Sequence, residues 1–401
     1  PPPPLAGLAE MSIALAEETF PGVRLAPPEV RFPIIRKEEH ILQFLVGLTR
    51  GPLGGFSDVD FLTGMPPMVM QHGRRYLLDR EVDARDTEVL VEAFYTNGWG
   101  TLQKTRRGIR TLFTVPAQDA EGNAVFLRFR VSVVLVRVPR SPNNTSMGVQ
   151  ISLRAIADKP PAWQELDLPE VLIRNCFFRD GIVLVTGPTG SGKSSTLAAM
   201  IRFALEEAPE LIDHKFVTLE APIEFVYDHP RVSQSQVPEH IESFAQGVVE
   251  AMVRRPNVIL VGEAKDQETI RAASEAAMTG HQVFTTVHTT GVANAVGRMI
   301  QRFDGAEARS MAADLLESLR LVLSQRLVST PNGHLQAVRE WLFLDSAMRI
   351  RLLRTPLEQL TAAITDELHA HGHSFAQDAD ALLAGQRITP EAHAWVMSGY
   401  A

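Results

Sequence analysis

The sequence predicts an α/β chain: a domain with a parallel sheet and crossover helices, preceded by a smaller domain of mixed α+β type. Three observations carry this. Short apolar runs ("GIVLVTG", "KFVTLE", "NVILVGE", "HQVFTTVH") alternate with helix-length stretches, the texture of strands buried on both faces with helices crossing between them. Upstream, "IRTLFTVP", "AVFLRFRVSVVLVRVP" and "MGVQISLRAI" are rich in β-branched and aromatic residues, as antiparallel strands are. Between the two textures lies "ADKPPAWQELDLPE", with three prolines and little periodicity.

Whole-chain quantities narrow the function classes. The chain has 401 residues, room for two or three domains and a sizeable core. A net charge of -8 provides no overall basic footprint, so sequence-specific nucleic-acid binding is not expected. The one cysteine, Cys176 in "RNCFF", cannot form an internal disulfide and reads as a buried thiol in a protein of a reducing compartment. No apolar run approaches the ~20 residues of a membrane span. The first residues carry acids and no leading base, unlike a secretory signal. The expectation is a cytoplasmic protein that can still dock on a membrane complex.

In chain order, residues 1–29 read as a proline-rich leader with a short helix over 5–19. Residues 30–157 form the mixed domain. Within it "RKEEHILQFLVGLT" has helical apolar spacing and is stopped by "GPLGG". "VDFLTG", "PMVMQHG" and "RRYLLD" are short strands, and "DARDTEVLVEAFYTNGW", with its acidic start, is a helix. Residues 158–172 are a linker, 173–345 the parallel-sheet domain, and 346–401 a helical extension that includes the polar stretch "HAHGHSF". The histidines of that stretch, His369, His371 and His373, lack zinc-ligand spacing with cysteine and read as exposed.

The chemistry begins at "GPTGSGKSS", which fits G-x-x-x-x-G-K-[ST] between a buried strand and a helix. Gly187, Pro188, Thr189, Gly190, Ser191 and Gly192 form a loop whose backbone N–H groups turn around phosphates, aided by the helix N-terminus through Ser194 and Ser195. Lys193 reaches the β and γ phosphates, and the Ser194 hydroxyl ligates Mg²⁺. "NVILVGE" ends in Glu263 at the carboxyl end of a strand, where ligands of parallel sheets sit. A carboxylate there holds Mg²⁺ through water, orients the attacking water, or caps the next helix. Glu220 and Glu224 of "VTLEAPIEF" follow another strand, to touch metal or water or to be solvated loop acids. His281 and His288 bracket the strand of "TGHQVFTTVHTT"; His288, at its end, can contact the γ phosphate or relay its loss.

Taken together these stretches resemble the PilT/GspE/VirB11-type secretion ATPases. "GPTGSGKSS" is similar to the Walker A motif of that superfamily, "LEAPIEF" to its Asp box, "NVILVGEAKDQETI" to its Walker B motif and "TGHQVFTTVHT" to its His box, in the same order. "LRLVLSQRLV" resembles a helix of the group. "LEAPIEFVYD", "VSQSQVPEH" and "RRPNVILVGEAKDQETI" resemble most the DotB and TraJ proteins of type IVB, Dot/Icm-like, secretion and conjugation systems. Ala221 stands where the group has an Asp, so the box depends on Glu220 and Glu224; Lys265 replaces the common Arg, which keeps a cation without its planar fork.

The resemblance implies a PAS-like N-terminal domain, a RecA-like P-loop domain, bound ATP and Mg²⁺, and a homohexamer. It implies that Glu263 activates or orients water, with Glu220 and Ser194 near the metal. It also implies arginines at the phosphates, matched here by Arg128 and Arg130 of "FRFRV" and Arg154 of "SLRAI". The implied partners are inner-membrane secretion or conjugation components and a second, coupling ATPase, with the protein docked peripherally at that membrane. A pilus extension or retraction ATPase uses the same parts. A RecA-like nucleic-acid translocase and a non-catalytic nucleotide-gated scaffold are the readings of other classes.

Overall fold

Alternation along the upstream strands organises the first half of the chain. In the computed structural model, which describes residues 23–71, 74–118, 122, 124–141, 144–156, 159–332 and 334–399, the chain divides into two compact units, 1–158 and 159–401. The leader prolines and the short helix expected over 5–19 lie outside the described residues. The first unit runs β1 (Val23–Leu25), α1 (Glu38–Arg50), β2 (Asp58–Leu62), β3 (Met68–Gln71), β4 (Arg74–Leu77), α2 (Ala84–Phe94), α3 (Gly98–Thr105), β5 (Ile109–Gln118), β6 (Ala124–Ser141) and β7 (Asn144–Ile156). Its sheet has the order β1-β4-β3-β2-β7-β6-β5, antiparallel throughout except for the β1–β4 pair.

One face of this sheet is the core. Val59 and Phe61, Phe129 and Val131, Ile151 and Leu153 are buried at every second position, against Ile41, Leu45 and Leu48 of α1 and Leu90, Val91 and Phe94 of α2. The start of α2 is closed by a reciprocal cap between Asp83 and Asp86. Asp86 is itself fully buried, and Arg36 and Arg80 each bind it at 2.7 Å. A buried carboxylate is tolerable only with such partners.

The second unit comprises α4 (Glu170–Asn175), β8 (Gly181–Thr186), α5 (Lys193–Glu206), β9 (Phe216–Glu220), β10 (Val232–Gln236), α6 (Phe244–Val253), β11 (Val258–Val261), α7 (Gln267–Met278), β12 (Gln282–Val287), α8 (Val292–Ile300), α9 (Gly305–Ser318), β13 (Leu319–Ser329), β14 (Leu335–Phe343), α10 (Ser346–Leu353), α11 (Leu357–His371), α12 (Phe375–Ala384) and α13 (Pro390–Met397). The strand order is β10-β9-β11-β12-β8-β13-β14, parallel except for the last, antiparallel pair. Every residue of β8, β11 and β12 is buried. Ile182, Leu184 and Val261 face α6 to α9, whereas Val183, Val185 and Leu260 face α4 and α5. Leu168 and Leu172, in the stretch expected as a linker, are buried in the second of these layers. The C-terminal helices close over the far edge, with Leu360, Ile364 and Leu368 of α11 in the main core and Ala379 and Val396 against Val328 and Val338.

One expected helix is a strand. "LRLVLSQRLV", likened to a helix, is β13, paired with β8 on one side and β14 on the other. Leu321 and Leu323 pack on the α5 side while Val322 packs on the α8 and α9 side. A run apolar at consecutive positions suits a strand covered on both faces as well as a buried helix, and its neighbours in the sheet decide.

Candidate functional site

The loop from β8 into α5 bends because three of its residues adopt backbone angles that L side chains rarely take: Gly187, Gly190 and Gly192 have φ of 146°, 78° and 83°. Lys193, the first residue of α5, is buried, and its Nζ donates to the carbonyls of Gly187 and Pro188 at 2.9 Å each. The same Nζ lies 3.3 Å from His288 Nδ1. Burial pulls the Lys193 ammonium below its ordinary range, while Glu263 and Glu224 oppose that shift. Ser194 is exposed and Ser195 half-buried at the start of α5. Thr189 Oγ1 lies 3.5 Å from His288 Nδ1.

Glu263 and His288 come in from the neighbouring strands. Glu263 follows β11 by two residues, and His288 follows β12 directly. Their facing atoms, Oε1 and Nε2, are 3.6 Å apart. A cation, an imidazole and a carboxylate therefore stand in series beside the loop, all at carboxyl ends of parallel strands, where such sheets collect ligands. Glu220 ends β9; its Oε1 accepts from Thr218 Oγ1 at 2.6 Å and Gln234 Nε2 at 3.1 Å. Burial raises its carboxyl group above the usual range, and those hydrogen bonds oppose the rise. Glu224 lies within electrostatic reach of Lys193 and Glu220.

The oxygen donors suit Mg²⁺. A hard, small cation takes one or two protein oxygens, phosphate oxygens and waters. The exposed Ser194 hydroxyl and the carboxylates of Glu263 and Glu220 are donors of that kind. Among the described residues no cluster of three or more His, Cys, Asp or Glu side chains forms a metal site by itself, the His369–His373 stretch included.

Two groups of expected residues stand apart from the loop or belong to the other unit. His281 precedes β12, so the strand separates it from His288 by roughly 20 Å; its Nδ1 faces the Ala276 carbonyl at 3.2 Å, at the end of α7. The structure does not bring His281 to the loop, because the seven-residue spacing spans the strand's length. Arg128, Arg130 and Arg154 lie in the first unit. Arg130 pairs in register with Arg154, and Arg154 with Asp58, so with Arg128 they share the face opposite Phe129 and Leu153. Arg154 Nε donates to Asp58 Oδ1 at 2.8 Å.

The sequence reading missed Gln325. It lies on β13, fully buried, and its amide reaches Ser191 and Thr196 of the loop and α5. A buried glutamine in an apolar run was the available signal. Gln234, the support of Glu220, sits on the polar strand β10, whose "VSQSQ" has no apolar alternation to announce it.

Known proteins resemble this chain over much of its length. Residues 121–341 match the family model described as type II/IV secretion system protein. A twitching motility protein of Neisseria gonorrhoeae is 37% identical over 252 residues, 62% of this chain and 66% of that protein. The chain thus spans slightly less than two thirds of that relative's length. Among solved structures, the ATPase DotB of Legionella pneumophila superposes with a TM-score of 0.78 at 32% identity, covering 94% of this chain and 100% of that one. The pilus retraction motor PilT with bound ADP superposes with a TM-score of 0.73 at 28% identity, covering 89% and 96%.

Proposed function

The chain belongs to the type II/IV secretion system protein family, and on that premise we propose that it is a Mg²⁺-dependent ATPase that powers a DotB-like, type IVB secretion or conjugation machine as a homohexamer. The observation that carries the ATPase reading is the convergence of Lys193, His288 and Glu263 at the carboxyl ends of β8, β12 and β11. Backbone N–H groups of the glycine loop and the first turn of α5 hold the phosphates. Lys193 exchanges its two loop carbonyls for β and γ oxygens, and its buried position makes that charge count for more than it does in water. Glu263 orients or deprotonates the attacking water. His288, in contact range of both Lys193 and Glu263, registers the γ phosphate and its loss. Ser194, with Glu263 and Glu220 in support, would hold Mg²⁺, which when bound would neutralise phosphate charge.

The type IVB assignment is supported by the likeness to DotB over nearly the whole of both chains. The likeness to the pilus retraction motor PilT favours a second reading, a pilus motor. Docking at the inner-membrane face and partnership with a coupling ATPase follow from the first reading. The test is to measure ATP turnover with Mg²⁺, with and without single-stranded DNA, and to introduce the Glu263→Gln allele into the source bacterium. DNA-independent turnover with loss of secretion or conjugation is expected. Loss of pilus-driven movement with secretion and conjugation intact would select the pilus motor instead, and turnover that requires DNA would select a nucleic-acid translocase.

A further inference from the structure

The geometry points to Gln325 as the positioning residue that aims the phosphate loop, a role that rests on the nucleotide-site reading above. β13 pairs in parallel with β8, and Ser324 stands opposite Thr186, the last residue before the loop. The main chain of Gln325 closes the loop's entrance: a Cβ on Gly187 would lie 2.3 Å from the Gln325 carbonyl oxygen. Its side chain closes the exit. Nε2 donates to the Ser191 carbonyl at 2.6 Å, and Oε1 accepts from Thr196 Oγ1 at 2.8 Å. Gln325 is 1% exposed, so water does not compete for either bond. One side chain thereby ties a central strand, the loop and the first turn of α5.

The chemistry asks for glutamine. The loop presents a carbonyl that needs a donor and a hydroxyl that needs an acceptor, and an amide supplies one of each. A carboxylate has no donor for Ser191, and a lysine or arginine has no acceptor for Thr196. The Ser191 bond also has a directional consequence. In a trans peptide the C=O of one residue and the N–H of the next point in opposite directions. Holding the Ser191 carbonyl toward Gln325 turns the Gly192 N–H away from β13, toward the phosphate in the loop. Thr196, bonded through its main chain to the Gly192 carbonyl at 2.9 Å, fixes the other side of the same glycine. An N–H aimed before the nucleotide arrives serves ground state and transition state alike. Its loss should raise KM more than it lowers kcat.

The experiment compares the full chain with Gln325→Ala, Gln325→Met and Thr196→Val, measuring equilibrium ATP binding with Mg²⁺, steady-state kinetics and thermal midpoint. Gln325→Ala should raise Kd and KM about tenfold, the effect of losing one well-made buried hydrogen bond, with a smaller fall in kcat. Gln325→Met, close in size and without a donor for Ser191, should weaken binding as much as the alanine variant, and it carries the test if that variant does not fold. Thr196→Val leaves the Ser191 bond in place and should shift Kd by less than about threefold. The proposal is overturned if a folded Gln325→Met protein binds ATP within about twofold of wild type, or if Thr196→Val is as harmful as Gln325→Met. A wild-type chain that binds no ATP would instead overturn the nucleotide-site reading.

Discussion

The two sheets bury themselves differently, and that decides where each can display charge. In the first unit β6 alternates: Phe129 and Val131 face the core, while Arg128 and Arg130 face the other way. In the second unit β8, β11 and β12 are buried at every position. A strand covered on both faces has no side chain to spare for chemistry along its length. The candidate site residues Glu220, Glu263 and His288 stand instead at strand ends. An antiparallel sheet with one packed face can instead carry a row of side chains, as with Arg130 beside Arg154. One sheet gathers polar groups by convergence of strand ends, and the other lines up arginines on one face by register.

Breaking the strand-end cluster should have the largest effect. Glu263→Gln keeps the side chain's volume and removes its charge, so ATP should still bind while kcat falls ~10²–10⁴-fold, the usual worth of a positioned acid–base group. A turnover assay with a parallel binding measurement checks it, and a kcat within about threefold of wild type would remove Glu263 from the chemistry. Lys193→Ala should weaken ATP binding about 10–100-fold, the range for a hydrogen bond to a charged group; calorimetry that finds affinity within about twofold would remove Lys193 from the site.

Changes in the row of arginines sharpen the contrast from the other side. On the role that the resemblance gives these arginines, Arg130→Ala should lower kcat about tenfold through lost guanidinium charge. Equal activity of variant and wild type would remove Arg130 from the chemistry.

Two smaller effects concern stability. Gly187→Ala adds a Cβ 2.3 Å from the Gln325 carbonyl oxygen at a backbone φ of 146°, and chemical denaturation should show a loss of about 1–3 kcal/mol. Glu220 has its carboxyl group raised by burial, so the folded state disfavours the charged form. As pH rises from the ordinary carboxylate range, the unfolded chain loses this proton first and the native state loses stability. Glu220→Gln should therefore melt higher than wild type near neutral pH, and the two curves should meet as pH falls to about 4. A gain that persists unchanged at acid pH would assign it to packing instead of charge.

Much of the site was legible because its signals are local. The glycine spacing before Lys193 specifies a turn whatever surrounds it, and an apolar run ending in Glu263 reads as a strand delivering an acid. The alternation of "FRFRV" likewise identifies which residues share a face. The polar β10 and the three-residue β1 carry no such pattern and become strands only through pairing with β9 and β4.

By itself, then, the sequence determined the α/β class, the glycine-rich turn before Lys193 and the residues that close the central strands, since each follows from composition and spacing within a few residues. Tertiary structure alone decided that "LRLVLSQRLV" is a strand, that His281 stays at the far end of β12, and that Gln325 grips a loop 134 positions earlier in the chain at Ser191. Those outcomes depend on which strands become neighbours and on which end of the sheet they meet. That is a property of the whole packed sheet, and no short window of sequence contains it.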